Sequence, residues 1–428
     1  MSNEEKQELQ MNDEKRAFIR EQIVPKRRSA LKRFMGSAWK TSVLAIIFGV
    51  VGSFAFCAMS PYFDEVLGKE EEDTVVFVQP TQSPAATTKP VEEDDSKVQE
   101  PVQAVFDLDS YKEAYQLMKD IADEFNHSIV TVSGVQSGVD WFDNPAEASD
   151  ADCGVIIADN GKELFILTSY KKISQVNHIQ VTFENNETVE ATLQGKDKDT
   201  NIAVIAVDQE NLSKEIQKKL QVAVIGDSYY AQKGTPILAL GNPTGYMYSM
   251  EIGMITGDEM EQYITDTMVE LFSMDIDAVD EGAGVIVDLE GNIIGFITHQ
   301  FDGEIKNSMC TAIAVNRVKS TIERIINGTP RAYFGVVASN IPEKYKKSLG
   351  AKHGIYVMEV VNDSPALDAG IQVGDIITDI NDTEISSISN FNGALLSLKP
   401  KEEVLVKVLR TTQAENKEKT LTIVMGKK

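Results

Sequence analysis

The chain is short of basic residues. Against 66 Asp and Glu stand 41 Lys and Arg, a formal charge of -25 over 428 residues. Most of such a surface repels a phosphate backbone, which removes nucleic acid from the expected partners. Cysteine is scarcer still: only Cys57, Cys153 and Cys310, too few for a disulfide framework. Cys57 lies in an apolar run. Cys153 and Cys310 lie in apolar, strand-like stretches where a small buried thiol is expected, with a single bridge between them left open. The four histidines, His127, His178, His299 and His353, are scattered over what read as strand edges and loops, where surface or packing roles are expected. The carboxylates at Asp275, Asp277, Asp280 and Glu281 are spaced too loosely for a cation site and read as solvated loop acids. No metal and no cofactor are expected.

Charge is absent altogether from Thr41 to Phe63, TSVLAIIFGVVGSFAFCAMSPYF. As a helix, this run spans roughly 30 Å, the thickness of a bilayer core. Lys26, Arg27, Arg28, Lys32, Arg33 and Lys40 precede it; Asp64, Glu65 and an acidic tract follow. The positive-inside rule then puts the N-terminus in the cytoplasm and the bulk of the chain outside. A cleaved signal peptide is the rival reading, but about forty residues ahead of the apolar run make an overlong leader. The expectation is a cytoplasmic tail over 1–40, a single transmembrane helix over 41–63 and a disordered acidic tether over 64–108, too poor in apolar residues to fold. The location would be the cell membrane, single-pass, of a bacterium.

Beyond the tether, Tyr111 to Phe125 has helical spacing, with Tyr111, Tyr115, Leu117, Met118, Ile121 and Phe125 able to share one broad face. The period then changes to two. Ser128–Val135, Gly154–Ala158, Leu164–Thr168, Ile179–Phe183, Ala203–Val207, Thr235–Leu240, Met250–Ile255 and Val285–Val287 are short apolar or alternating runs. Turn residues such as Asn160-Gly161 and Gly241-Asn242-Pro243 punctuate them. Many short strands at this spacing predict a mainly β domain, here two small barrels. Val315 to Ile326 returns to helical spacing and stops at Asn327-Gly328. A further α+β module over 331–428 opens with Tyr333-Phe334-Gly335-Val336. It continues through Ser364-Pro365-Ala366, Gly370 and Gly374-Asp375 to a helical stretch, Ile388–Leu398, and two closing strands, Glu403–Leu409 and Thr420–Val424. Asp375 reads as a turn cap.

Several short motifs recur in one order. Gly154-Val155-Ile156-Ile157 leads to Ile166-Leu167-Thr168-Ser169-Tyr170-Lys171. Thr200-Asn201-Ile202-Ala203-Val204-Ile205 follows, then Ile225-Gly226-Asp227-Ser228, Leu240-Gly241-Asn242-Pro243-Thr244-Gly245, and Asp280-Glu281-Gly282-Ala283-Gly284-Val285-Ile286. In this order and spacing, ahead of the 331–428 module, they resemble the HtrA/DegP family of membrane-anchored or periplasmic serine proteases. The resemblance covers roughly Asp123 to the end. It implies a chymotrypsin/trypsin-like double β-barrel over 109–330 and a C-terminal PDZ domain over 331–428. By the same resemblance Lys171 falls at the catalytic histidine, Asn201 at the aspartate and Gly282 at the serine.

Acyl transfer needs a nucleophile, a base in hydrogen-bond reach and donors for the oxyanion. Glycine offers no attacking atom, and a lysine near its ordinary pKa cannot accept a proton. The expectation is therefore an inactive homologue of a serine endopeptidase, not an enzyme. A Ser169–Lys171 dyad is conceivable, because i and i+2 share a face of a strand, but no oxyanion loop is evident beside it. In the PDZ module, Tyr333-Phe334-Gly335-Val336 would offer backbone N–H groups to a peptide carboxylate. The following strand would pair with the peptide, and Phe391 and Leu395 would set selectivity. The implied partners are polypeptide C-termini or unfolded segments, with a homotrimer or a hetero-oligomer with an active HtrA-like protease as possible assemblies. The function expected is adaptor, scaffold or regulator in envelope protein quality control. The alternatives are an active serine-type endopeptidase and a structural envelope protein that binds no peptide.

Overall fold

A computed structural model describes residues 107–135, 151–276, 279, 282–302, 310–411 and 416–428. The expected tail, transmembrane helix and nearly all of the tether lie outside the described residues, as do Asp277, Asp280 and Glu281. Among the described residues no helix is long and apolar enough to cross a membrane.

Helix α1 covers Leu108–Phe125 and starts three residues before the apolar periodicity does. Asp107 explains the earlier start: its carboxylate accepts the Ser110 N–H at 2.9 Å, satisfying a donor that the first turn leaves unpaired. The helix buries Ala122 and Phe125 against the barrels that follow.

Six strands close the first barrel in the order β1-β2-β3-β6-β5-β4. They are β1 (Ile129–Val135), β2 (Asp152–Asp159), β3 (Glu163–Ser169), β4 (His178–Thr182), β5 (Thr188–Asp197) and β6 (Ile202–Asp208). Strands β2, β3 and β6 are buried on both faces, which is why they read as continuous apolar runs and not as alternation. The two faces do different work. Ile156, Ile166 and Ile205 fill the barrel interior, whereas Val155, Ile157, Leu167 and Val204 pack with Leu238, Leu240, Val285 and Ile313 of a second barrel.

That second barrel closes in the order β10-β11-β12-β9-β8-β7, from β7 (Pro236–Asn242), β8 (Ser249–Ile264), β9 (Thr267–Met274), β10 (Ala283–Val287), β11 (Ile293–Ile297) and β12 (Cys310–Ala314). The alternating run expected to stop at Ile255 continues to Ile264 and returns as β9. This long hairpin reaches the next domain. Helix α2 (Val315–Ile326) buries Val315, Val318, Ile322 and Ile326 on one stripe, each worth about 1.5–3 kcal/mol when fully covered. It ends at Asn327, followed by Gly328 at φ 60°.

The last module places β14 (Val336–Asn340), β15 (Ile355–Val360), β16 (Ile376–Ile380), β18 (Glu403–Thr411) and β19 (Asn416–Val424) in one sheet, in that order. Strand β17 (Thr383–Glu384) pairs with β16, and β13 (Ala332–Tyr333) pairs with β20 (Gly426–Lys427). Helix α3 (Ile388–Ser397) covers the core with Ile388, Phe391 and Leu395. Asp375 accepts the Gln372 N–H, as a turn cap should, and also takes a two-pronged contact from Arg410, with Nε and Nη2 each at 2.6 Å.

Cys153 and Cys310 are both free and buried. Burial pushes the Cys310 thiol up to about 12 and raises that of Cys153 as well, so neither carries thiolate at neutral pH. Iodoacetamide at pH 8 is therefore expected to leave both unmodified in the native chain and to modify both in guanidinium, as read by peptide mass mapping. Native labelling of either would refute this burial.

Candidate functional site

The cleft between the barrels is lined by Thr168, Ser169, Thr200 and Asn201 from the first and by Ala283, Gly284 and Thr298 from the second, around a cavity of about 60 Å³. The fold brings Lys171 and Asn201 together. Asn201 sits at φ 59°, a left-handed conformation that asparagine tolerates better than most residues. There its Oδ1 accepts the Lys171 N–H at 2.7 Å, its Nδ2 donates to Ser169 Oγ at 2.8 Å, and its carbonyl accepts the Tyr170 N–H at 2.9 Å. It is thus the main chain of Lys171 that the asparagine holds. The Ser169 hydroxyl is held by Asn201.

Gly282 is tightly enclosed. Its N–H donates to the Val279 carbonyl at 2.7 Å, and the Val279 N–H donates to the Pro243 carbonyl at 3.2 Å. An oxyanion hole would aim the amide at this position into the cleft; here a carbonyl takes it. A Cβ at residue 282 would lie 2.5 Å from the Pro243 oxygen and 3.0 Å from that of Val279. His299 completes the surroundings: its Nε2 lies 2.8 Å from the Gly282 oxygen and its Nδ1 lies 2.8 Å from Asp302 Oδ2. Sequence reasoning gave His299 only a surface or packing role. Its nearness to residue 282 comes from the return of the chain after β11, for which one sequence carries no signal.

In the last module, the Phe334, Gly335 and Val336 N–H groups point to one place. They hold a carboxylate, that of Asp266 at the tip of the β8–β9 hairpin, at 2.9, 2.8 and 3.1 Å. Gly335 at φ 95° turns these amides inward, and a Cβ there would meet that of Ser364 at 2.2 Å, so the position requires glycine. Tyr333 lies in β13, partly buried. Phe391 and Leu395 share a face of α3, as their spacing predicts, and are fully buried in a core with Phe334. The Phe334 and Phe391 rings meet edge to face at 5.3 Å. Asp266 is 1% exposed, and burial pushes its carboxyl upward against the pull of the three N–H groups. Sequence reasoning missed Asp266 entirely.

A paired set of β-barrels with a cleft between them, followed by a small sheet with a carboxylate-holding loop, defines a trypsin-like peptidase domain with an appended PDZ domain. Family models agree: residues 153–296 match a trypsin-like peptidase domain and residues 333–424 a PDZ domain. The chain carries an HtrA/DegP-like trypsin-like peptidase domain with a C-terminal PDZ domain, and its relatives are HtrA serine proteases. Serine protease Do-like HtrB of Bacillus subtilis (strain 168) is 26% identical over 90% of this chain and 83% of its own length. Serine protease Do-like HtrA of Lactobacillus helveticus is 28% identical over 60% of this chain and 64% of its own. A probable periplasmic serine endoprotease DegP-like of Rickettsia conorii is 30% identical over 60% of this chain and 50% of its own. The latter two are thus spanned for less than two thirds of their length. Among solved structures, HtrA-type protease AlgW with decapeptide has a TM-score of 0.52 at 22% identity, over 72% of this chain and 98% of that one. AlgW with tripeptide also has a TM-score of 0.52, at 23% identity. At these identities the likeness shows the fold alone.

These relatives correct one expectation. Lys171, Asn201 and Gly282 led to a chain that is not an enzyme, but the proteins it resembles are named serine proteases, and that assignment conflicts with such a reading.

The packing at residue 282 has its own consequence. Gly282→Ser is expected to destabilise the chain by about 1–3 kcal/mol, the usual cost of forcing atoms into a filled site. A lowered denaturant midpoint checks this; an unchanged midpoint would show that the Pro243 and Val279 carbonyls move aside freely.

Proposed function

We propose that this protein handles polypeptide in protein quality control at a bacterial cell envelope. The PDZ domain would recognise C-termini or unfolded segments, and residues 41–63 would anchor the chain to the membrane with 64–428 outside. The observation that carries the reading is the loop Phe334-Gly335-Val336, whose three amides already hold a carboxylate. Backbone amides converging on a carboxylate, at the start of an edge strand, are how a PDZ sheet takes a peptide end by β-augmentation. The related AlgW structures, solved with a decapeptide and a tripeptide, support the same class of ligand.

A second reading, serine-type endopeptidase activity, is favoured by the relatives' names. On this chain, the cleft hydroxyl next in line is that of Ser169, which accepts from Asn201. The reading predicts hydrolysis of casein by the purified full chain, lost in Ser169→Ala. Cleavage unaltered by that substitution would point away from Ser169, and no cleavage would sink the reading.

For peptide recognition, the full chain in detergent micelles is expected to bind a labelled peptide with an apolar, free C-terminus saturably. Amidating the carboxylate should weaken binding about tenfold or more, a loss of roughly 1.4 kcal/mol or above. Equal binding of acid and amide, or none of either, would refute carboxylate recognition.

A further inference from the structure

The outer edge of β14 is already paired. The β8–β9 hairpin closes with Ile264 opposite Thr267, and its tip lies along β14. Thr265 forms an antiparallel bridge with Val337, and the Asp266 N–H donates to the Val336 carbonyl at 2.8 Å. From there the Asp266 carboxylate takes the three amides of residues 334–336. The direction is informative. Residues 263–266 run antiparallel to β14, with the carboxylate at the loop that opens the strand. A peptide added to this edge would run the same way, with its terminal carboxylate in the same nest of amides. Side chains follow suit. Met268 is buried in the core that holds Phe334, Phe391 and Leu395, and Tyr263 packs against that core. The hairpin thus supplies a strand, a carboxylate and apolar anchors.

We propose that the tip of the β8–β9 hairpin is an internal ligand of the PDZ domain, with Asp266 in the place of a C-terminal carboxylate, and that a peptide with an apolar, free C-terminus binds by displacing it. This rests on the peptide-recognition reading above. An internal ligand lowers apparent affinity by the fraction of chains in which the site is vacant. Removing its carboxylate leaves three buried donors without an acceptor, a penalty that an incoming carboxylate relieves.

The test uses the full chain in detergent micelles and a fluorescein-labelled hexapeptide, residues 261–265 of this sequence extended by a C-terminal valine, as free acid and as amide. Asp266→Ala is expected to bind the acid about tenfold or more tighter than the unaltered chain, with the amide weak on both. Asp266→Asn keeps the shape and one acceptor oxygen, is the safer variant for folding, and should fall between the two. Hydrogen exchange over residues 334–336 should be faster in Asp266→Ala and slowed again by the acid peptide. Equal affinity of the variants and the unaltered chain, with preference for the acid retained, would overturn the internal ligand and leave peptide recognition standing. Exchange that Asp266→Ala does not alter would overturn it too. No binding of acid or amide to any form would end the peptide-recognition reading and the displacement built on it.

Discussion

One buried carboxylate ties the second barrel to the PDZ domain. Asp266 leaves water only because three backbone amides replace its hydration, and an isolated carboxylate would not tolerate such a site. Each partner constrains the others. The amides converge because Gly335 takes a conformation closed to other residues with Ser364 behind it. The carboxylate arrives because β8 and β9 extend well past the barrel and close in a two-residue turn at Thr265 and Asp266. Met268 beside it is covered by the PDZ core and not by its own barrel. The domain contact is therefore specific in direction and register, because backbone hydrogen bonds and one charge define it.

The interbarrel cleft is held by another kind of contact. At residues 171, 201 and 282 the main chain carries most of the hydrogen bonding. Asn201 binds the amides and hydroxyl of the segment 169–171, and Gly282 is clasped by the carbonyls of Val279 and Pro243. The Gly282 N–H is taken up by the Val279 carbonyl of its own loop. Asn242 contributes from the end of β7, its Oδ1 accepting the Ala283 N–H at 2.9 Å.

Much of the architecture was legible because burial imposes a period. Strands β2, β3 and β6 announced themselves as unbroken apolar runs, since each is covered on both faces, and α2 through its stripe of Val318, Ile322 and Ile326. Strand β5 and the outer part of the β8–β9 hairpin stayed hidden. Residues 188–197 and 256–266 are rich in charged and polar side chains and lie largely exposed or half-buried, so no apolar alternation marks them. The site divides in the same way. The loop at Phe334-Gly335-Val336 was singled out through the family resemblance, and the shared face of Phe391 and Leu395 through their spacing of four. His299 and Asp266 were not.

The sequence by itself marked the apolar strands and helix stripes, because burial imposes a local period, and its ordered motifs carried the resemblance that implied the trypsin-like and PDZ folds. Only the tertiary structure decided what the PDZ loop holds and what encloses Gly282. Asp266 lies 68 residues from Phe334 along the chain, and His299 lies 17 from Gly282. Contacts at such separations arise from how strands return and close, and a single sequence leaves no periodic trace of them.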